Sequence, residues 1–283
     1  MDVLQGYSHI IMKYNIKDFR KEFGTEDKCL NYLFKEKYPT AKGYYKVAGR
    51  KCWANAQGEQ LHPLADTIFK KSSTSLTVWF EAIFLFSIAK NGISAKELQR
   101  HFGFTYKTAW RVGTQIRKLM EQDGNLLTGT VEVDETYFGK KGNNEMKFKN
   151  KSALMGMVER QGKVRAHKIG ARETHILLGK IKANISKDAE IMTDEFRVYA
   201  KLPKIGYNRR RGVKHGKGHY VMGDVHTNTI EGFWGQLKRS IRGTYHFVSA
   251  KHLQAYVDEF AFRYNQRLSP VPVFHALVQR ASR

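Results

Sequence analysis

The stretch Thr130–Lys140, T-V-E-V-D-E-T-Y-F-G-K, sets how the rest of this chain is read. Val131, Val133 and Phe138 are β-branched or aromatic residues that suit a pleated, half-buried surface, so the segment predicts a strand. By the two-residue period, Glu132, Asp134 and Thr136 fall on the face opposite Val131 and Val133. A carboxylate on a half-buried face is costly unless something positive meets it. Glu132 and Glu135 compete with Asp134 for any chemical role; the alternation and the valine flanks favour the aspartate and leave Glu132 open as an auxiliary acid.

Two later segments hold acids in similar settings: I-M-T-D-E at 191–195, and N-T-I-E-G-F-W-G-Q-L-K-R at 228–239. Asp194 ends a short predicted strand, and Glu231 opens a predicted helix. Each has a bland account, Asp194 as a helix N-cap and Glu231 as a first-turn acid favoured by the helix dipole. Their recurrence at element ends of one region points instead to Asp134, Asp194 and Glu231 converging on two divalent ions, magnesium or manganese. Magnesium takes hard oxygen ligands, usually one or two carboxylates per ion. Two such ions about 4 Å apart serve an in-line phosphoryl displacement.

Around these acids the pattern is α/β. Strands are predicted at 130–138, 152–159, 163–169 and 190–193, with a further strand near 220–224. A helix is predicted over about 173–185 and another carries Glu231. The loop after Thr130–Gly139, with Lys140 and Lys141, is basic and too polar to pack, as is the stretch 209–219, so both are expected near a phosphate backbone.

Upstream, Leu76, Trp79, Phe80, Ile83 and Phe84 are spaced for one buried helix face ending near Asn91-Gly92. Ser94 with Glu97 predicts a capping box, Gly103 a turn, and Thr105 the cap of a helix running to about Met120. Two short helices split by a glycine turn form a helix-turn-helix candidate, with Tyr106, Lys107, Thr108 and Arg111 at the N-terminal end of the second. The first segment, to about Pro63, reads as a small module with helical spacing at 27–34 and a basic β-ribbon at 43–53. The predicted domains are 1–66, 67–124 and 125–283.

The 283 residues carry 49 Lys and Arg against 26 Asp and Glu, a formal net charge of +23, which argues for a polyanionic partner, nucleic acid being the commonest. No run of about eighteen apolar residues and no signal-peptide pattern are found, so an intracellular, non-membrane protein is expected. Two cysteines, Cys29 and Cys52, make no disulfide framework.

The motifs V-E-V-D-E-T-Y-F-G-K-K, I-M-T-D, H-T-N-T-I-E-G-F-W-G-Q-L-K-R-S-I-R-G-T-Y-H-F-V-S and F-R-Y-N-Q-R resemble the DDE domain of ISXO-type insertion-sequence transposases, over about Phe69 to the end of the chain. The element order is similarly that of a ribonuclease H-like mixed sheet flanked by helices. The resemblance implies Asp134, Asp194 and Glu231 as catalytic triad and metal ligands, with Lys238 as the basic residue that follows. Arg239 and Arg242, on the same basic helix as Lys238, are expected to contact DNA; the resemblance further implies element ends and target DNA as partners, and a dimer or larger assembly on DNA. The implied activity is 3′-end cleavage and strand transfer. A silent or domesticated DNA-binding protein and a ribonuclease H-like nuclease are the rivals. The family usually carries a zinc ribbon with two C-x-x-C pairs; this sequence has none, so a degenerate ribbon without structural zinc is expected.

Overall fold

The computed structural model describes residues 14–139, 151–170, 173–194, 196–212 and 226–283. Lys140, Lys141, the loop around them and the strand expected near 220–224 lie outside the described residues. The chain divides into two compact units, one within Met1–Met120 together with Ser269–Arg283, the other Glu121–Leu268.

The first unit opens with helices α1 (Ile16–Phe23) and α2 (Glu26–Lys37), followed by three two-residue strands, β1 (Tyr45–Lys46), β2 (Trp53–Ala54) and β3 (Gln60–Leu61). They pair antiparallel in that order, and Trp53 stacks on Phe34 of α2 with ring centroids 4.1 Å apart. Cys29 is buried in α2, where burial pushes its thiol up to about 12 and its Sγ meets the Phe23 carbonyl; Cys52 is buried beside β2. Helix α3 (Leu76–Ile88) buries Trp79, Phe80, Ile83 and Phe84, as the spacing predicts, but stops short of Asn91-Gly92. The Ser94/Glu97 capping box opens α4 (Ala95–Phe102), Gly103 turns at φ 65, and Thr105 caps α5 (Tyr106–Lys118).

The C-terminal helix α9 (Val273–Ala281) belongs with this unit, whereas the sequence groups it with the acids. Phe274 is the reason. Its ring lies within 5.3–6.3 Å, centroid to centroid, of Phe19, Phe23, Phe80 and Phe84. Such aromatic packing contributes beyond simple area burial, and no local pattern in 273–281 announces it.

The second unit is built on a five-stranded mixed sheet of β4 (Thr130–Gly139), β5 (Lys151–Glu159), β6 (Val164–Ile169), β7 (Glu190–Thr193) and β8 (Arg210–Gly212), in the order β6-β5-β4-β7-β8. β4, β5 and β6 form an antiparallel meander; β7 and β8 run parallel to β4. β8 falls where the sequence predicts a basic loop. Arg-Arg-Gly has little strand propensity, and its pairing with β7 rests on backbone hydrogen bonds at a sheet edge. Val131, Val133, Met155, Met157 and Ile191 face one layer with Leu177 and Ile181 of α6 (Thr174–Asn184). Leu154, Val158, Val164 and Ala166 face the other, with α7 (Asn228–Ser240) and α8 (Leu253–Gln266). Both faces are covered, so the polar residues of β4 on the α7 side are forced to find partners inside the fold.

Candidate active site

The odd-numbered valines of β4 point to the α6 layer, so Glu132, Asp134 and Thr136 must point toward α7. Two strand residues span about 6.6 Å and four helical residues rise about 6 Å. Residues i and i+4 of α7 can therefore meet i and i+2 of β4, rung by rung. The backbone N–H of Ile230 donates to Glu132 Oε2 at 3.1 Å, the Trp234 indole Nε1 donates to Asp134 Oδ2 at 3.1 Å, and Lys238 Nζ donates to Thr136 Oγ1.

Glu132 is wholly buried and its oxygens are taken. Beyond Ile230, it accepts from the Thr229 N–H at 2.9 Å, the Thr229 hydroxyl at 2.9 Å and Arg160 Nε at 2.8 Å, and His226 Nδ1 stands 3.3 Å away. The first N–H groups of a helix have no intrahelical acceptors, and Thr227 offers no side-chain cap to α7. A carboxylate from a strand about a hundred residues upstream supplies the cap. Glu132, open as an auxiliary acid by alternation alone, is thus the anchor of the helix that carries Glu231.

Gly156 of β5 sits directly across from Asp134 in the sheet. A Cβ there would stand 2.4 Å from Trp234 Cζ2 and 2.7 Å from Ile230 Cδ1. The bare backbone lets the indole lie on the sheet and reach Asp134. A glycine inside S-A-L-M-G-M-V-E is the one sequence signal of this close approach. Gly156→Ala is expected to destabilise the protein by about 1–3 kcal/mol through overpacking against a ring that cannot swing aside. Gly179→Ala on α6, where nothing lies within 4 Å, should be neutral or slightly stabilising. Urea unfolding of the two variants makes the comparison.

Burial pushes the Asp134 carboxyl up to about 6, and the charges of Asp194 and Glu231 push it the same way, while the Glu135 backbone N–H and the Trp234 indole favour the ionised form. Asp134 thus senses acids from two other elements. Asp194 follows the end of β7; its Oδ1 accepts from the Phe196 N–H at 3.0 Å, and Arg210 of β8 reaches both the Thr193 hydroxyl and the Asp194 carbonyl. Glu231 is exposed in the first turn of α7 and takes a hydrogen bond from the Thr227 hydroxyl at 3.0 Å. Lys238 is half-buried, and burial holds its ammonium below the usual lysine range, with Asp134 opposing that shift and Arg242 and Lys151 adding to it. Arg239 and Arg242 are exposed. Among the described residues, no three His, Cys, Asp or Glu side chains are grouped, as they stand, to hold a metal ion. The acids do fit a hard divalent ion chemically: the donors are oxygens, and the mutual repulsion felt at Asp134 is what a cation relieves.

In the first unit, Tyr106 and Lys107 are exposed at the start of α5, with Lys96 Nζ 4.9 Å from the Tyr106 ring centre. The Thr108 hydroxyl bonds that of Thr105, and Arg111 turns to the Ser72 hydroxyl at 3.4 Å and the Trp79 ring. No described helix is long and apolar enough to cross a membrane.

Comparison with known proteins sets the five-stranded unit among transposase domains. Residues 126–265 match the ISXO2-like transposase domain, and this segment is a domain of that family of insertion-sequence transposases. A protein of Halobacterium salinarum, described as an uncharacterized protein in transposable element ISH50, is 27% identical over 216 residues, 70% of this chain and 72% of its own length. Among solved structures, a chain of the simian T-cell lymphotropic virus intasome in complex with PP2A regulatory subunit B56 gamma matches at 16% identity and a TM-score of 0.31. That match covers 59% of this chain and 63% of the other, a likeness too distant to carry fold or function.

Proposed function

We propose that the protein binds the terminal inverted repeats of its insertion sequence, cleaves the 3′ ends and joins them to target DNA in one two-metal site held by Asp134, Asp194 and Glu231. The observation that carries this is that Asp134 of β4 feels the charges of both Asp194, at the end of β7, and Glu231, in the first turn of α7. The strand order β6-β5-β4-β7-β8, three antiparallel and two parallel, supports a ribonuclease H-like domain. Two divalent ions, when bound, supply activation of the attacking oxygen and charge stabilisation of the leaving one. The chain's own part is positioning. Asp134, in mid-strand and oriented by Trp234, has the least freedom of the three acids and would hold a divalent ion most firmly. Lys238 brings a half-desolvated cation beside Asp134, where a phosphate oxygen of the scissile strand would meet it. The test is magnesium-dependent nicking of element-end DNA: Asp194→Ala and Glu231→Ala should each lose it while retaining DNA binding, and full activity of either removes that acid from the site.

For DNA recognition we assign α4, the Gly103 turn and α5 as a helix-turn-helix, and the meander at 45–61 as a ribbon remnant that holds without zinc. Homodimers or larger assemblies would bring two ends together. The geometry separates two residues that sequence treats alike. Lys107→Ala, at an exposed position, is expected to weaken end binding and to lower the salt slope by about 1 if it contacts a phosphate. Arg111→Ala, tied to Ser72 and Trp79, is expected to lower thermal stability as well as affinity. Gel shifts across a salt series with parallel melts distinguish them.

A further inference from the structure

The end of α7 carries a feature that cleavage chemistry does not use. The helix runs into a π-helical turn, Ile241–Tyr245, and then into His246, whose backbone sits at φ 58 and ψ −48. The Phe247 N–H closes back on the Tyr245 carbonyl at 2.6 Å, a three-residue turn with positive φ, which is rare and strained. Both flanks are pinned. The Tyr245 hydroxyl donates to both oxygens of buried Glu259, at 3.0 and 3.2 Å, and Val248 is buried in the α7–α8 core. Between these anchors the Phe247 ring is 64% exposed. No packing among the described residues accounts for that placement, and the strained turn holds an aromatic face in the open.

Phe247 borders a cleft of about 180 Å³ lined by 137–139 at the end of β4, by Lys238 and Arg242, and by 246–248. Among the described residues the lining holds aromatic rings and two cations and no carboxylate. Arg242 makes no hydrogen bond or ion pair among the described residues, although its charge is felt at Lys238. The volume is well below the roughly 300–1,000 Å³ of pockets for drug-sized ligands. It suits a single ring carrying an anionic group.

We infer that this cleft is a stacking subsite for one unpaired nucleobase of the DNA strand beside the scissile phosphate, with Phe247 against the base and Arg242 on its phosphate. In a duplex both faces of a base are covered, so only a base out of the stack can use an aromatic platform next to cations. Gly139 and Tyr137 lie three to five residues beyond Asp134 on β4, about 10–17 Å of strand, or roughly three to five nucleotides at 3.4 Å each. The placement next to a cut rests on the proposed catalytic site; the stacking does not.

The experiment uses the full chain and a DNA duplex with a short 3′ single-stranded tail carrying 2-aminopurine at successive positions, alongside a blunt duplex. The wild type should quench the fluorophore at one tail position and prefer the tailed duplex. Phe247→Ala should abolish the quench and cut that preference by roughly 5- to 150-fold, while Phe247→Tyr keeps both. Thermal melts confirm that the exposed substitution leaves the fold intact. Equal quenching by Phe247→Ala and wild type, or no quenching by wild type at any position, overturns the inference. Asp134→Ala separates it from the catalytic proposal: that variant should quench like wild type, and if it also still cleaves, the catalytic assignment falls while the subsite stands.

Discussion

Asp134→Asn is expected to abolish DNA cleavage and joining, by roughly a thousandfold or more, and to leave end binding nearly unchanged. The size follows from the chemistry. Metal-borne stabilisation of transition-state charge is worth several kcal/mol, and each ~1.4 kcal/mol is a decade in rate. Binding survives because phosphate contacts from Lys and Arg, not the metals, supply most affinity. The same substitution should raise the melting temperature of the metal-free protein, since it removes a carboxylate that burial and two neighbouring acids disfavour in its ionised form. Nicking assays, gel shifts and calorimetry of one variant read all three. Cleavage at the wild-type rate removes Asp134 from the site, and a fall in melting temperature shows that its Trp234 bond outweighs the repulsion.

Glu132→Ala should be the most destabilising change at the site, by about 3–5 kcal/mol, as when one partner of a buried ion pair is removed. It strips Arg160 of its carboxylate and uncovers two helix N–H groups in a closed interior. Glu132→Gln keeps an acceptor for those amides but not the charge, so it should lose less. Because Glu132 sets the first turn of α7, even Gln should weaken divalent-ion binding through Glu231, measurable by manganese titration of the folded protein. Denaturant unfolding of both variants gives the order, and equal stability of Ala and wild type would mean that α7 is held by its apolar face alone.

Glu132 and Asp134 show where sequence stops. Both lie on one face of a strand that the valine alternation predicts, with ends matching to a residue. Nothing in V-E-V-D-E says that the first acid meets helix amides and the second an indole. That depends on residues 97 to 100 positions later arriving in one register. Gly156 is similar: a glycine in a strand signals close approach, but what approaches is settled by the packing of Trp234.

The features readable from local chemistry are those whose energies are themselves local. The Ser94/Glu97 capping box, the Thr105 cap, the left-handed Gly103 and the buried face of α3 each depend on residues within a turn or two, and each stands where the spacing puts it. β8, the home of α9 and the exposed ring of Phe247 needed the folded chain. Arg210–Gly212 becomes a strand because β7 offers a free edge, α9 goes where four phenylalanines receive Phe274, and Phe247 is held out by a strained turn pinned through Glu259. In each case the stabilising partner lies far along the sequence, so no window of neighbouring residues contains the energy that decides the outcome.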